Sequence, residues 1–253
     1  MTNPELTEIV GVVDKSASMQ SIIDEARSGL KQFVEDQKKA PGRAKLTLVF
    51  FDTQHRKVFD GVDVQDVSIK DEDYCPSGLT ALLDAVGKAI DEVGEILAKT
   101  PEEERPGQVI FFILTDGCEN SSRDYTRDRV RQMIKTQEDT YNWRFIYLGA
   151  NQDAFAEAEA LGTTKGVVAT FAASGKGVSS AYAGVSAAAM TYRSGGDRAM
   201  AEVALSKAVA SGCSEEKSRA IWEAKKKALQ NAAEQSAKKH PLQFSESPKT
   251  KSP

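Results

Sequence analysis

A chain of 253 residues that is 40% hydrophobic can bury a sizeable core, as one large domain or as a domain with a tail. A net charge of −4 argues against an obligate nucleic-acid binder, which needs a basic face, and no apolar run approaches the roughly 18 residues of a membrane span. Three scattered cysteines, Cys75, Cys118 and Cys213, suit free thiols in a reducing, cytoplasmic setting, and the two histidines, His55 in a polar turn and His240 in a charged tail, leave little room for His-based catalysis.

The start, Met1 to Glu5, shows neither a basic n-region nor an apolar h-region. Thr7 to Asp14 reads as a first strand. Met19 to Lys39 carries Ile22, Ile23, Ala26, Leu30, Phe33 and Val34 at helical spacing, and Pro41-Gly42 ends it. Ala44 to Phe51 is almost continuously apolar, as a strand covered on both faces should be. Lys57 to Val64 alternates and predicts an antiparallel edge strand joined by a hairpin. Ala81 to Leu97 has the stripe of a second helix, with Thr80 placed to cap it. Gln108 to Leu114 is the most apolar strand of the chain and runs into Thr115-Asp116-Gly117.

Arg127 to Gln137 (helix), Trp143 to Leu148 (strand), Ala154 to Leu161 (helix) and Val167 to Phe171 (strand) continue the alternation. Strand and helix in turn predict an α/β fold: a doubly wound, Rossmann-like, mostly parallel six-stranded sheet with helices on both faces. Ser174 to Tyr192, rich in Ala, Gly and Ser, reads as a closely packed last helix of a domain spanning residues 1–195. Arg198 to Ala210 and Glu215 to Lys239 are further helical patterns in an extension over 196–240. The stretch from Cys213 onward has nine Lys or Arg against five Glu, and residues 241–253 have the composition of a disordered tail. Self-association through these C-terminal helices is one role open to them.

The chemistry gathers at three places. Val12-Val13-Asp14-Lys15-Ser16-Ala17-Ser18 is an apolar strand that ends in an acid, followed by two hydroxyls before a helix. Alone, such a stretch equally describes turn and capping chemistry. In the strand order 3-2-1-4-5-6, however, the first and fourth strands flank the switch point, so Asp14 and Asp116 open into one crevice at the carboxyl edge of the sheet. The helix after Thr80 starts from the same edge. Asp14, Ser16, Ser18, Thr80 and Asp116 would bring two carboxylates and three hydroxyls together with no basic residue to neutralise them, and a divalent cation relieves that repulsion. Hard oxygen donors suit Mg²⁺, with Mn²⁺ or Ca²⁺ as alternatives.

Asp14-x-Ser16-x-Ser18, Thr80 and Thr115-Asp116-Gly117, in this order and spacing, resemble the von Willebrand factor type A domain and its metal-ion-dependent adhesion site. Ser77-Gly78-Leu79-Thr80-Ala81-Leu82 and Phe145-Ile146-Tyr147-Leu148-Gly149-Ala150-Asn151 resemble its stand-alone bacterial and phage members. The resemblance covers about Thr7 to Tyr192; it departs at Ala17, where many members have Gly, and in the C-terminal extension. It implies that Ser16 and Ser18 bind the cation directly, that Thr80 binds directly or through water, and that Asp14 and Asp116 act mainly through bound waters. Neutral hydroxyl ligands would leave the cation electrophilic, with one position open to a Glu or Asp of a partner protein. That is a recognition device and not an enzyme.

A metal-dependent phosphohydrolase or phosphotransferase using Asp14 would need a second acid two residues on, where Ser16 stands. A dinucleotide-binding turn would need glycines that Asp-Lys-Ser-Ala-Ser does not supply. Cys75 and Cys118 read as small buried or semi-buried thiols rather than a redox pair, Lys225 to Lys227 as a solvated helix face, and Trp143 and Trp222 as packing anchors.

Overall fold

The computed structural model describes residues 1–150, 154–163 and 165–211. Six strands, β1 (Asn3–Asp14), β2 (Arg43–Phe51), β3 (His55–Asp63), β4 (Pro106–Thr115), β5 (Arg144–Ala150) and β6 (Val167–Phe171), form one sheet in the order β3-β2-β1-β4-β5-β6. All neighbours run parallel except β2 and β3, so the edge strand is antiparallel as expected. Helices α1 (Ile23–Lys39), α2 (Leu82–Lys99), α3 (Arg127–Thr140), α4 (Ala154–Ala160), α5 (Gly175–Arg193) and α6 (Arg198–Ala210) cover its two faces.

The alternation along β1 divides the core. Ile9 and Val13 point to the face covered by α1, α5 and α6, and Val10 and Val12 point to the face covered by α2, α3 and α4. Every one of these side chains is fully buried, which is why the parallel strands read as continuous apolar runs and not as alternating ones. Gly11 is required between them. A Cβ there would stand 2.4 Å from the ring of Phe112, which packs against Phe33 with centroids 5.1 Å apart. Trp143 is buried and stacks near Phe111 and Phe145, an anchor as its position suggested.

Several boundaries move. β1 begins at Asn3, four residues earlier than the apolar pattern suggests, with an irregular register before Thr7; Pro4 has no amide to donate and the stretch has no apolar periodicity to betray it. Residues Ala17–Ile22 form a 3-10 turn, and the regular helix starts only at Ile23. Ser16 precedes this turn without capping it, and Ser18 Oγ donates to Asp116 instead. His55 is not in a turn. It opens β3 opposite Phe51, and its ring lies 3.4 Å from Glu92 of α2. Cys75 and Cys118, expected to be buried or half-buried, are both exposed, because both fall on loops rather than under the sheet, and they form no disulfide.

Helix α6 lies against α5 and β6 and buries Ala201, Leu205 and Val209 in the same core as α1 and α5. The boundary expected at Gly195 separates α5 from α6, and both helices fall within one compact unit, Met1–Cys213. The helix expected over Glu215 to Lys239, the tail 241–253, Cys213 and Trp222 lie outside the described residues.

Candidate functional site

β1 and β4 lie side by side at the switch point of the sheet, and both end in side-chain oxygens. Asp14 closes β1 with no exposure to solvent. One carboxylate oxygen accepts from the Ser16 amide at 2.7 Å and the other from Thr115 Oγ1, the last residue of β4, at 2.6 Å. Burial pushes the Asp14 carboxyl up to about 6; the two donors oppose that rise, and the charge of Asp116 adds to it.

Above this floor the hydroxyls converge. Ser16 Oγ and Ser18 Oγ are 3.0 Å apart, and Ser18 Oγ donates to Asp116 Oδ1 at 2.6 Å. Burial raises the Asp116 carboxyl as well. Thr80 reaches the group from the other side. A Cβ at Gly117 would lie 3.0 Å from Thr80 Oγ1 and 3.7 Å from Ser18 Oγ, so the missing side chain of Gly117 keeps the space between them open. Ser16 and Thr80 are buried while Ser18 is exposed, so the cluster faces solvent on one side.

All five sequence-predicted residues therefore sit at the same edge. Among the described residues neither Asp14 nor Asp116 has a cationic partner, and no group of three or more His, Cys, Asp or Glu is placed to hold a metal ion. The donors are oxygens only, two of them carboxylates whose proton affinity is raised by burial. That donor set fits a hard divalent cation.

Thr80 departs from expectation in one respect. It is not the cap of α2; Ala81 holds that position without a side-chain bond. The exposed amides of the helix start are met from the Asp116 loop instead. Glu119 Oε2 accepts from Leu83 N at 2.9 Å, and Ser122 Oγ accepts from Asp84 N at 3.1 Å. Asn120 clamps Thr80 by accepting from its amide at 2.9 Å and donating its own amide to the Thr80 carbonyl at 3.0 Å. Asp84 in turn accepts from the amides of Arg123, Asp124 and Tyr125. The Thr80 hydroxyl is thereby released from capping.

A second set of residues escaped the sequence reading. The Lys15 ammonium is bound by Asp52 and by Ser77 Oγ at 3.1 Å, and not by Asp14. Ser77 Oγ donates to the same Asp52 oxygen at 2.6 Å. Burial alone would raise Asp52, but the ammonium and the hydroxyl hold it below the usual carboxylate range. This cluster ties three loops together, with Ser77 N to Lys15 O at 2.8 Å, Ala17 N to Gly78 O at 3.2 Å and Ala81 N to Asp52 O at 2.9 Å. From beneath, Tyr74 Oη donates to the Asp14 carbonyl at 2.8 Å. The signal for Asp52 was present: β2 runs from an apolar stretch straight into an acid, as β1 does at Asp14 and β4 does at Asp116.

A doubly wound sheet with an antiparallel edge strand, and with hydroxyls and acids gathered at its switch point, defines the class of fold, a Rossmann-like α/β domain. The comparison with protein families is specific: residues 8–179, more than half of the chain, match the von Willebrand factor type A domain, and the chain belongs to that family. The fold is shared with a von Willebrand factor type A protein from Catenulispora acidiphila (16% identity, TM-score 0.52, covering 80% of this chain and 43% of that one). It is shared with proximal thread matrix protein 1 of the mussel byssus (13%, 0.53, 80% and 47%) and with the vWF domain of the type V pili tip protein Mfa5 from Porphyromonas gingivalis (12%, 0.52, 74% and 95%). The chain spans less than half the length of the first two. No curated protein matches the sequence. Domains of this family mediate protein interactions, are mostly not enzymes, and commonly bind a divalent metal. No helix among the described residues is long and apolar enough to cross a membrane.

Proposed function

We propose that the carboxyl edge of this sheet is a metal-ion-dependent adhesion site, and that the protein is a binding module whose cation captures a Glu or Asp of a partner protein. The observation that carries this reading is the convergence of Asp14, Ser16, Ser18, Thr80 and Asp116 around the space left by Gly117, with no basic side chain among the described residues against either acid. Ser16, Ser18 and Thr80 would hold the ion through neutral hydroxyls, and Asp14 and Asp116 would act chiefly through water. The ion, with Mg²⁺ the first choice and Mn²⁺ or Ca²⁺ as alternatives, supplies an electrophilic centre for an anionic oxygen. This chain's own part is orientation. Thr115 and the Ser16 amide fix Asp14, Asp116 fixes Ser18, and the Lys15–Asp52–Ser77 cluster holds the loop that delivers Thr80.

Phosphoryl transfer through Asp14 has less support. Position 16 offers a hydroxyl where an acid/base carboxyl is needed, and Lys15 is engaged by Asp52. Exposed Cys75 and Cys118, outside any disulfide, favour a reducing, cytoplasmic setting. The stand-alone bacterial or phage character suggested by the sequence belongs to the same reading.

Calorimetric titration of metal-stripped protein tests the site. A single Mg²⁺ binding event is expected, weak because no carboxylate is direct, and it should vanish in Asp14→Ala/Ser16→Ala. Unchanged binding in that double variant would overturn the assignment.

A further inference from the structure

The opposite, amino-terminal edge of the sheet holds a second buried acid, which the adhesion site does not use. Glu8 lies on β1 and is 6% exposed. One of its oxygens accepts from Thr47 Oγ1 at 2.7 Å, and that hydroxyl accepts in turn from the Gly61 amide at 2.9 Å. Among the described residues no donor reaches the other oxygen. Glu8 and Thr47 line a cleft of about 220 Å³ between β1, β2, β3 and the end of α2. Val93, Ile96 and Leu97 of α2 form an apolar wall, and the other charged groups on the cleft are Lys45 on β2, Asp60 on β3 and Glu104 before β4. Three carboxyls and one ammonium thus line the cleft, with Asp60 also paired to Lys57 beside it at 3.0 Å.

A carboxyl buried beside an apolar wall, with one oxygen unserved and a cleft open before it, is a half-made ion pair. Desolvation makes such a group costly until a cation completes it. The complement is an ammonium for the carboxyls, three donors for the unserved oxygen, and a short methylene stem for the wall formed by Val93, Ile96 and Leu97. We propose that this cleft binds a primary alkylammonium group, carried either by a free amine or by a lysine side chain.

A consequence follows for pH. Burial pushes the Glu8 carboxyl up to about 7, against the hydrogen bond from Thr47 and the charge of Lys45, with Asp60 acting in the same direction as burial. A bound ammonium favours the ionised form, so by linkage its affinity must rise as pH rises through this range and then level off.

The test is a titration of the full chain with n-butylammonium, read by amide chemical shifts at Gly61 and Leu97, near pH 5.5 and pH 8.5. A second arm uses Nα-acetyl-lysine methylamide. The ligand is charged at both pH values, so saturable binding should be roughly 30-fold tighter at the higher one. Glu8→Gln keeps an acceptor for Thr47 and should abolish both the tight binding and its pH dependence. Asp60→Asn, at an exposed position, should weaken binding severalfold while leaving the fold intact. Saturation by butylammonium alone identifies a free amine as the ligand, and saturation by both places a lysine side chain within reach. Absence of saturable binding near pH 8.5, retained affinity in Glu8→Gln, or equal binding of neutral n-pentanol would overturn the proposal.

Discussion

The two ends of β1 treat a buried carboxyl in opposite ways. At the carboxyl end, Asp14 has donors on both oxygens, a second acid near it and three hydroxyls above it. At the amino end, Glu8 has a donor on one oxygen, an apolar wall and a cleft. Both acids bind protons more tightly than an exposed carboxylate does, and burial is the first cause in each case. What separates them is the surrounding chain. Asp14 stands where loops from β1, β2 and β4 meet and are knotted by Lys15, Asp52 and Asn120, whereas Glu8 is held by strands and one helix. A raised carboxyl is therefore not by itself a sign of one kind of site; the donors around it decide which partner would complete it.

The largest expected effect concerns what supports both ends. Removing the chain after Gly195 deletes α6 and uncovers the face of α5 that packs on Leu205 and Val209. At about 1.5–3 kcal/mol for each large buried apolar side chain, two such residues and Ala201 predict a loss of about 4–6 kcal/mol. Urea denaturation measures it. An unchanged midpoint would mean that the sheet domain ends at Gly195 after all.

Next in size is the knot at the carboxyl end. Asp52→Ala leaves the Lys15 ammonium buried and unpaired, with a side chain only 11% exposed, and should cost about 3 kcal/mol. Lys15→Met/Asp52→Leu removes both charges and should recover much of that stability, yet it should still weaken Mg²⁺ binding because the Thr80 loop loses its tether. A double variant with full Mg²⁺ affinity would remove Lys15 and Asp52 from the positioning of the site.

Glu8 gives a smaller effect of opposite sign. Its carboxyl holds a proton more tightly folded than unfolded, so the folded state binds more protons between about pH 4.5 and 7 and stability falls as pH rises through that window. Below the window both states are protonated and the cost is absent. Glu8→Gln should therefore be neutral near pH 4.5 and stabilising by about 2–3 kcal/mol at pH 8, from thermal or urea unfolding across pH. No change in the difference between variant and wild type over that range would mean that the carboxyl is effectively solvated.

The smallest effect on stability should come from Thr80→Ala. Thr80 does not cap α2, and its amide and carbonyl stay clamped by Asn120. Stability should change by less than about 1 kcal/mol, while Mg²⁺ affinity falls. A large loss of stability with intact metal binding would make the hydroxyl structural.

Much of this was legible in the chain because parallel strands leave a plain trace. Val12-Val13-Asp14 and Ile113-Leu114-Thr115-Asp116 announce strand, edge and acid in a few residues, and the hydroxyl spacing at Ser16 and Ser18 points to the loop between. The 3-10 turn over Ala17–Ile22 was hidden, since Ile22 and Ile23 fit a helical pattern whether or not the first turn is regular. The true support of the α2 start was hidden for a different reason. Glu119, Asn120 and Ser122 act on residues 36 to 40 positions away, and no local periodicity encodes such a bond. The pairing of Lys15 with Asp52 was hidden because the acid lies 37 residues away, just past the end of β2.

The comparison between the two ends of β1 is tested most directly with Mn²⁺, whose unpaired electrons broaden nearby amide signals in proportion to proximity. Added in small amounts to metal-stripped, isotope-labelled protein, it should extinguish the amides of Ser16, Ser18, Thr80 and Gly117 first, and an excess of Mg²⁺ should restore them, while Glu8, Thr47 and Gly61 at the far edge stay sharp. Broadening centred on the Glu8 cleft, or loss of signal that Mg²⁺ does not reverse, would contradict a cation site at the carboxyl edge of the sheet.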